Sequence, residues 1–359
     1  MGKNQIGFIR ITWLTTSFVL LFAFLVFGKD SRVKPFTIII FPDTQMYAKD
    51  DPAWRKSSRK EVFMAMTKWV VKRAKSDNIK FVLHMGDIVN EDYEPYEWQN
   101  ANEAMSLLDD VVPYTMVVGN HDMAPGDPAY IPDSMRNTTN FNNTFPYSRY
   151  QNKPWYGGRM IEDHFIPGDS YDNSFHFFEQ GKLEFMIVNL EVGPTDEVLT
   201  WADSLIADHP TKRIVVITHS YMLSNDKRDF PGGFGYLPAG SPNTGEEIWD
   251  KLIKKHKNIF LVLSGHVANA DSHRGLLESR GVNGNIVYQQ LHGDAHDGWL
   301  RILRFVPAEN KIFVSSYSPW KPKSPDEQLK QYEFSLPGYN RDSIHQYELP
   351  YNMNIGENR

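Results

Sequence analysis

The sequence predicts an α/β domain built on a largely parallel sheet, and three observations lead there. Short apolar runs alternate with amphipathic helical stretches from residue 36 onward. The first three runs follow the order strand, helix, strand, helix, strand, the pattern that parallel strands joined by crossover helices require. The chain of 359 residues is 41% hydrophobic, enough for a substantial core, with an ordinary 23% of charged residues.

Residues 36–41 (FTIIIF) read as the first strand. In 61–75, Val62, Phe63, Met66, Trp69 and Val70 fall on one helical face. Residues 79–87 (IKFVLHMGD) form a second strand ending at Gly86-Asp87. A helix at 97–109 carries Trp98, Ala101, Met105 and Leu108 at helical spacing, and 112–122 (VPYTMVVGNHD) is a third strand ending at Gly119-Asn120-His121-Asp122. From about 123 to 173 the pattern lapses into Pro, Asn, Gly and Tyr, which predicts a loop insertion. Its aromatic residues, Tyr130, Phe141, Phe145, Tyr147, Tyr150, Trp155, Tyr156 and Tyr171, are interleaved with Arg136, Arg149 and Arg159. They offer either a stacking platform with a phosphate grip or simple packing of the insertion, and packing is the plainer reading.

Regular structure resumes with two strands about Gly181-Lys182 in 174–193 and a helix at 195–208. Next come a strand at 213–220 carrying His219, a Gly- and Pro-rich loop at 221–243 and a helix at 246–257. A strand at 258–267 ends at His266, and three more runs follow at 284–294, 298–305 and 311–319. The expected organisation is one domain from 34 to 318 with a tail, 319–359, packed on it.

Lys3 and Arg10 precede an uncharged stretch, 11–28 (ITWLTTSFVLLFAFLVFG), after which Lys29, Asp30 and Arg32 return the chain to water. This is the pattern of an export signal, with Val26 and Gly28 at the −3 and −1 positions of a cleavage site. Its length is also near the lower limit for crossing a bilayer, so residues 1–28 are read as a signal peptide or a membrane anchor. Either reading places the domain outside the cytoplasm: periplasmic, extracellular, or tethered and facing outward. Cysteine is absent, which excludes disulfides, thiolate metal sites, a cysteine nucleophile and lipoprotein acylation. A net charge of −6 gives no signal for nucleic-acid binding.

Five strands end in polar residues: Asp43, Asp87, Asn120-His121, His219 and His266. Singly, an Asp or His there is turn chemistry. Together, five oxygen and imidazole donors at the carboxyl ends of strands in an open α/β sheet converge on one crevice. Such a set suits Mn, Zn or Fe ions, and phosphate-ester hydrolysis needs the charge neutralisation and activated water that metals supply.

The segments PDTQ, GDIVNE, GNHD, THS and SGHV, in that order, resemble the motifs of the calcineurin-like metallophosphoesterases: D-x-H, G-D, G-N-H-D/E, H and G-H-x-H. GNHD lying 33 residues after GD is the most specific part. The resemblance runs from about 36 to 306 and implies a four-layer α-β-β-α sandwich with loop insertions and metals at the sheet edge. It implies that Asp87 bridges two metals and that Asn120, His219 and His266 complete the second site. Asp43 then opens the first site, and His121 contacts the phosphate and assists the leaving oxygen with Asp122 orienting it.

Two departures fall on the first site. Asp43-Thr44-Gln45 replaces D-x-H, leaving Gln45 an amide donor for the ion, and Gly265-His266-Val267-Ala268 replaces G-H-x-H, ending in a methyl. Asn269, Asp271, His273, His292 and Asp294 lie near enough in sequence to fill the gap, though each reads more simply as loop. The expectation is one firmly bound divalent or trivalent ion and a weaker second. The implied activity is that of an exported phosphomonoesterase or phosphodiesterase, in which metal-bound hydroxide attacks phosphorus of a small-molecule or polymer-borne ester. The rival reading is a degenerate member that binds an anionic or phosphorylated ligand without efficient turnover.

Overall fold

Ile38 and Ile40 face one core while Ile39 and Phe41 face another, and this alternation along β1 (Phe36–Phe41) organises the domain. The computed structural model describes residues 33–51, 53, 59–123, 136–161, 170–231, 242–267, 274–293, 297–320 and 346–354. The segment 1–28 lies outside the described residues, as does most of the 319–359 tail. Among the described residues no helix is long and apolar enough to cross a membrane.

β1 pairs in parallel with β2 (Ile79–His84), which pairs in parallel with β3 (Tyr114–Met116). On its other side β1 runs antiparallel to β11 (Leu300–Val306), and β12 (Lys311–Tyr317) and β13 (Gln346–Pro350) complete this six-stranded sheet. The second sheet has seven strands. It begins with β4 (Tyr156–Arg159), β5 (Ser174–Gln180) and β6 (Leu183–Leu190), continues through β7 (Arg213–Thr218) and β8 (Ile259–Ser264), and ends with β10 (Ile286–His292) beside β9 (Arg274–Arg280). The run β6, β7, β8, β10 is parallel, which brings the carboxyl ends of β7 and β8 to one edge.

The two sheets face each other through a shared core. Ile38, Ile40, Phe81 and Leu83 from the first meet Ile187, Val215, Ile217, Leu261 and Leu263 from the second. The residues between them in sequence turn outward to helices. Ile39, Phe41 and Val82 pack against α1 (Gln45–Lys49), α2 (Lys60–Arg73), α3 (Pro95–Met105) and α4 (Thr139–Thr144). Ile214, Val216 and Val262 pack under α5 (Asp196–Ala207) and α6 (Gly245–Lys251). Strands buried on both faces read as continuous apolar runs, and the result is a four-layer α-β-β-α sandwich.

Helix starts follow their chemistry. The Thr195 side chain accepts the Val198 amide at 3.4 Å, and Thr244 with Glu247 forms a capping box at α6. The stretch expected to be an irregular insertion instead contributes α4 and, through β4, an edge strand. Its described aromatic residues are mostly core. Phe141, Phe145, Tyr150 and Tyr171 are buried, and the last two stack at 4.5 Å. Arg136 is buried against Glu191 at 3.2 Å, Arg149 bonds Asp109 and Asn102, and Arg159 lies 4.1 Å over the Tyr147 ring. These partners spend the arginines on packing. Tyr130 lies outside the described residues.

Candidate metal centre

The turns after five parallel strands deliver the side chains of the centre. β1 exits through Pro42 to Asp43, and β2 exits through Met85 and Gly86 to Asp87. β3 leads through Val117 to Asn120, while β7 leads directly to His219 and β8 through Gly265 to His266. One ligand atom from each of Asp87, His219 and His266 lies within 4.8 Å of the others. Asp87 Oδ1, Asn120 Oδ1 and His266 Nδ1 stand 3.1, 3.2 and 3.2 Å from His219 Nε2. Asp43 is buried beside this group, its Oδ1 accepting the His266 amide at 3.3 Å.

Close approach explains the glycines of the motifs. A Cβ on Gly119 would stand 2.2 Å from Asp87 Oδ1 and 2.3 Å from the Asp87 amide nitrogen. On Gly265 it would stand 2.4 Å from Asp43 Oδ1. The residues that follow the glycines of β2 and β8 carry strain: Asp87 has φ 49° and His266 φ 70°. A left-handed conformation outside glycine costs on the order of 1–3 kcal/mol and gathers at functional sites.

The protons are fixed by partners behind the donors. His219 Nδ1 sits 2.7 Å from the Met85 carbonyl, so Nδ1 carries a hydrogen and Nε2 is the nitrogen left to face a cation. Behind Asp43 and Asp87, the Gly86 amide donates to His84 Nδ1 at 3.2 Å. His84 Nε2 then donates to Thr44 Oγ1 at 2.8 Å, and that hydroxyl donates to the Ile88 carbonyl at 3.2 Å. This buried chain locks the exits of β1 and β2 together. Burial, with His219 nearby, pushes the His84 pKa down to about 3 and keeps the ring neutral.

The arrangement suits a cation. A tetrahedral ion with bonds of about 2.0–2.1 Å to nitrogen and oxygen separates its donors by about 3.3 Å, close to the spacings around His219 Nε2. Two imidazole nitrogens at 3.2 Å also need a positive charge or a shared proton between them. Burial works against the charge on Asp87, but His219, His121 and His266 hold its carboxyl well below the usual range. Burial also opposes protonation of His219, yet Asp87 pushes it up to about 9, while burial and His219 leave His266 near 3. Asp43 is lifted by burial to about 7. The residues therefore fit a divalent ion held by Asp87, Asn120, His219 and His266.

His121 stands at the rim. Its amide donates to Asp87 Oδ1 at 3.1 Å, and its Nδ1 donates to the Asn90 carbonyl at 2.8 Å, which turns Nε2 away from that anchor. Burial lowers its pKa, but Asp87 and the Asn90 bond outweigh that and raise it. Asp122 makes no described hydrogen bond to the His121 ring. Its Oδ1 accepts the Ile88 and Val89 amides at 2.8 and 3.1 Å and its Oδ2 the Gly119 amide at 2.9 Å, lacing the two ligand-bearing turns together. The ring's orienting group is Asn90, itself held by Glu97 Oε2 on its amide at 2.6 Å. A backbone carbonyl leaves no side-chain signal, so Asn90 was not legible from sequence. Glu97 and His84 read as ordinary helix and strand residues.

Gln45 begins α1, and its Oε1 is buried without a hydrogen-bond partner among the described residues. His292 is buried at the end of β10. Ala268, Asn269, Asp271, His273 and Asp294 lie outside the described residues.

A family model described as calcineurin-like phosphoesterase matches residues 36–270. The uncharacterized protein YvnB of Bacillus subtilis (strain 168) is 29% identical over 296 residues, covering 79% of this chain. The chain spans only 20% of that relative's length. Among solved structures, the purple acid phosphatase PPD1 from yellow lupin (Lupinus luteus) seeds superposes with a TM-score of 0.50 at 14% identity. The likeness covers 82% of this chain and 53% of that one, and it is a likeness of fold.

Proposed function

Since the chain belongs to the calcineurin-like phosphoesterase family, a family of metal-dependent phosphoester hydrolases, we propose that it hydrolyses phosphate esters at the centre described above, outside the cytoplasm. The observation that carries the reading is the convergence of Asp87, Asn120 and His266 on His219 Nε2, while Met85 holds the Nδ1 hydrogen on the other side of the ring. A divalent ion held there supplies Lewis acidity to the phosphoryl group and to water at neutral pH.

The chain's own residues do the rest. Asp87, Asn120, His219 and His266 hold the ion, with Asp43 and Gln45 offering oxygen donors for a looser second one. Lacking the imidazoles that D-x-H and G-H-x-H would supply, that second site exchanges its ion readily. His121, held at Nδ1 by Asn90, keeps Nε2 for the ester, where it donates a proton to the departing oxygen. The Lys3, Arg10 and 11–28 pattern supports export, by a cleaved signal or an anchor. The two departures at Gln45 and Ala268 favour the second reading, a family member that binds its anionic ligand with little turnover.

A panel of phosphomonoesters and phosphodiesters, assayed with Mn, Zn, Fe and Mg added separately, decides between them. Turnover of at least one ester is expected, and His121→Ala lowers kcat by about 10²- to 10⁴-fold while the bound metal is retained. Silence across the whole panel favours the binding protein. Undiminished turnover in His121→Ala removes the role given to that residue.

A further inference from the structure

Beyond the loop that holds His121, the surface opens into a cavity of about 670 Å³ between the 92–99 segment and α4. Asn90, whose carbonyl anchors His121, lies two residues before Asp92 in the cavity wall. Two residues span at most about 7 Å, so the cavity begins roughly a sugar ring's width from the anchor of His121.

Its lining is chemically uniform. Amides (Gln99, Asn140, Asn143 among them), threonine hydroxyls and the aromatic residues Tyr93 and Trp98 surround the carboxyl group of Asp92, and no Lys, Arg or His is among the described lining residues. An anionic group finds no cationic side chain among the described lining residues, and an apolar one would bury amides without partners. Vicinal hydroxyls, which donate and accept at once, match amides and a carboxylate, while the aromatic residues suit a C–H face.

Asp92 adds a second, independent sign. It is 2% exposed, and its Oδ2 accepts from Asn140 Nδ2 at 3.0 Å. Its Oδ1 is buried with no partner among the described residues. A buried carboxylate oxygen left so is costly unless a ligand donor satisfies it. The side chains of Gln99 and Asn143 are exposed at the rim, available for further hydrogen bonds.

We propose that this cavity binds a neutral polyhydroxylated group, a sugar ring or polyol, carried by the ester whose phosphate lies at the metal centre. The assignment of the group to an ester substrate rests on the hydrolase reading; the binding itself does not. Two measurements on the full chain keep them apart. The first is binding of glucose, galactose, mannose, N-acetylglucosamine, inositol and glycerol, followed by saturation-transfer NMR. At least one binds to the wild type, and Asp92→Ala weakens it about tenfold, the loss of roughly one hydrogen bond. Asn143→Ala, at an exposed position, gives a smaller loss in the same direction and serves if Asp92→Ala fails to fold. The second is the ratio of kcat/KM for glucose 1-phosphate, inositol 1-phosphate and glycerol 3-phosphate to that for 4-nitrophenyl phosphate, which lacks hydroxyls on its leaving group. The ratio falls in both variants for at least one polyol ester. Binding by none of the six compounds overturns the proposal, as does binding that neither variant weakens. Polyol binding without any ester turnover sustains the cavity and sinks the hydrolase reading instead.

Discussion

Gly119 shows how a residue with no side chain governs the centre. A methyl there would meet the Asp87 carboxylate at 2.2 Å and the Asp87 amide nitrogen at 2.3 Å, and backbone cannot rotate out of the way. Gly119→Ala is therefore expected to separate the turns carrying Asp87 and Asn120 and to abolish retained metal. Circular dichroism should still report a folded chain, since the sheets lie behind the turn. Metal retained at the wild-type level by Gly119→Ala would contradict the packing argument. The same crowding is why the GD, GNHD and GH motifs could be read in the sequence: short-range contact demands particular residues at particular spacings. What the sequence hid at this scale is made by backbone or by shared hydrogen bonds. Asn90 acts through its carbonyl, and Asp122 spends its oxygens on three amides, which its place beside His121 does not reveal.

Among the elements, the strands buried on both faces were legible because burial makes them continuous apolar runs, as in β1, β2, β7 and β8. The edges were not. β9 alternates Arg, Gly, Leu, Glu and Ser, and β13 is five residues ending in proline, each using charge or brevity to discourage further pairing. β4 includes two glycines and has no buried face of its own to show. The link between α4 and the second sheet was equally silent. Arg136, at the approach to α4, is buried against Glu191 just beyond β6 and donates to the Val192 and Gly193 carbonyls. Glu191→Gln removes the carboxylate that stands 3.2 Å from that buried guanidinium, and a loss of about 3–5 kcal/mol in unfolding free energy follows. Urea unfolding monitored by tryptophan fluorescence measures it, and a change below about 1 kcal/mol would show the pair to be dispensable.

At the scale of the whole molecule, the sandwich makes one edge from two sheets. Its first sheet supplies Asp43, Asp87 and the 119–122 turn, its second supplies His219 and His266, and the shared core of Ile38, Ile40, Val215 and Leu261 holds the two halves in register. The alternating pattern led to the α/β class and the motif resemblance implied the four layers, whereas neither gave the pairing order of the strands, because register depends on contacts far apart in sequence. The central claim is that Asp87, Asn120, His219 and His266 hold one ion firmly while the site of Asp43 and Gln45 does not. Elemental analysis of the full chain after exhaustive dialysis against metal-free buffer tests it most directly. One ion per wild-type chain and none in His219→Ala is the expected result; two ions per wild-type chain, or one still held by His219→Ala, would contradict it.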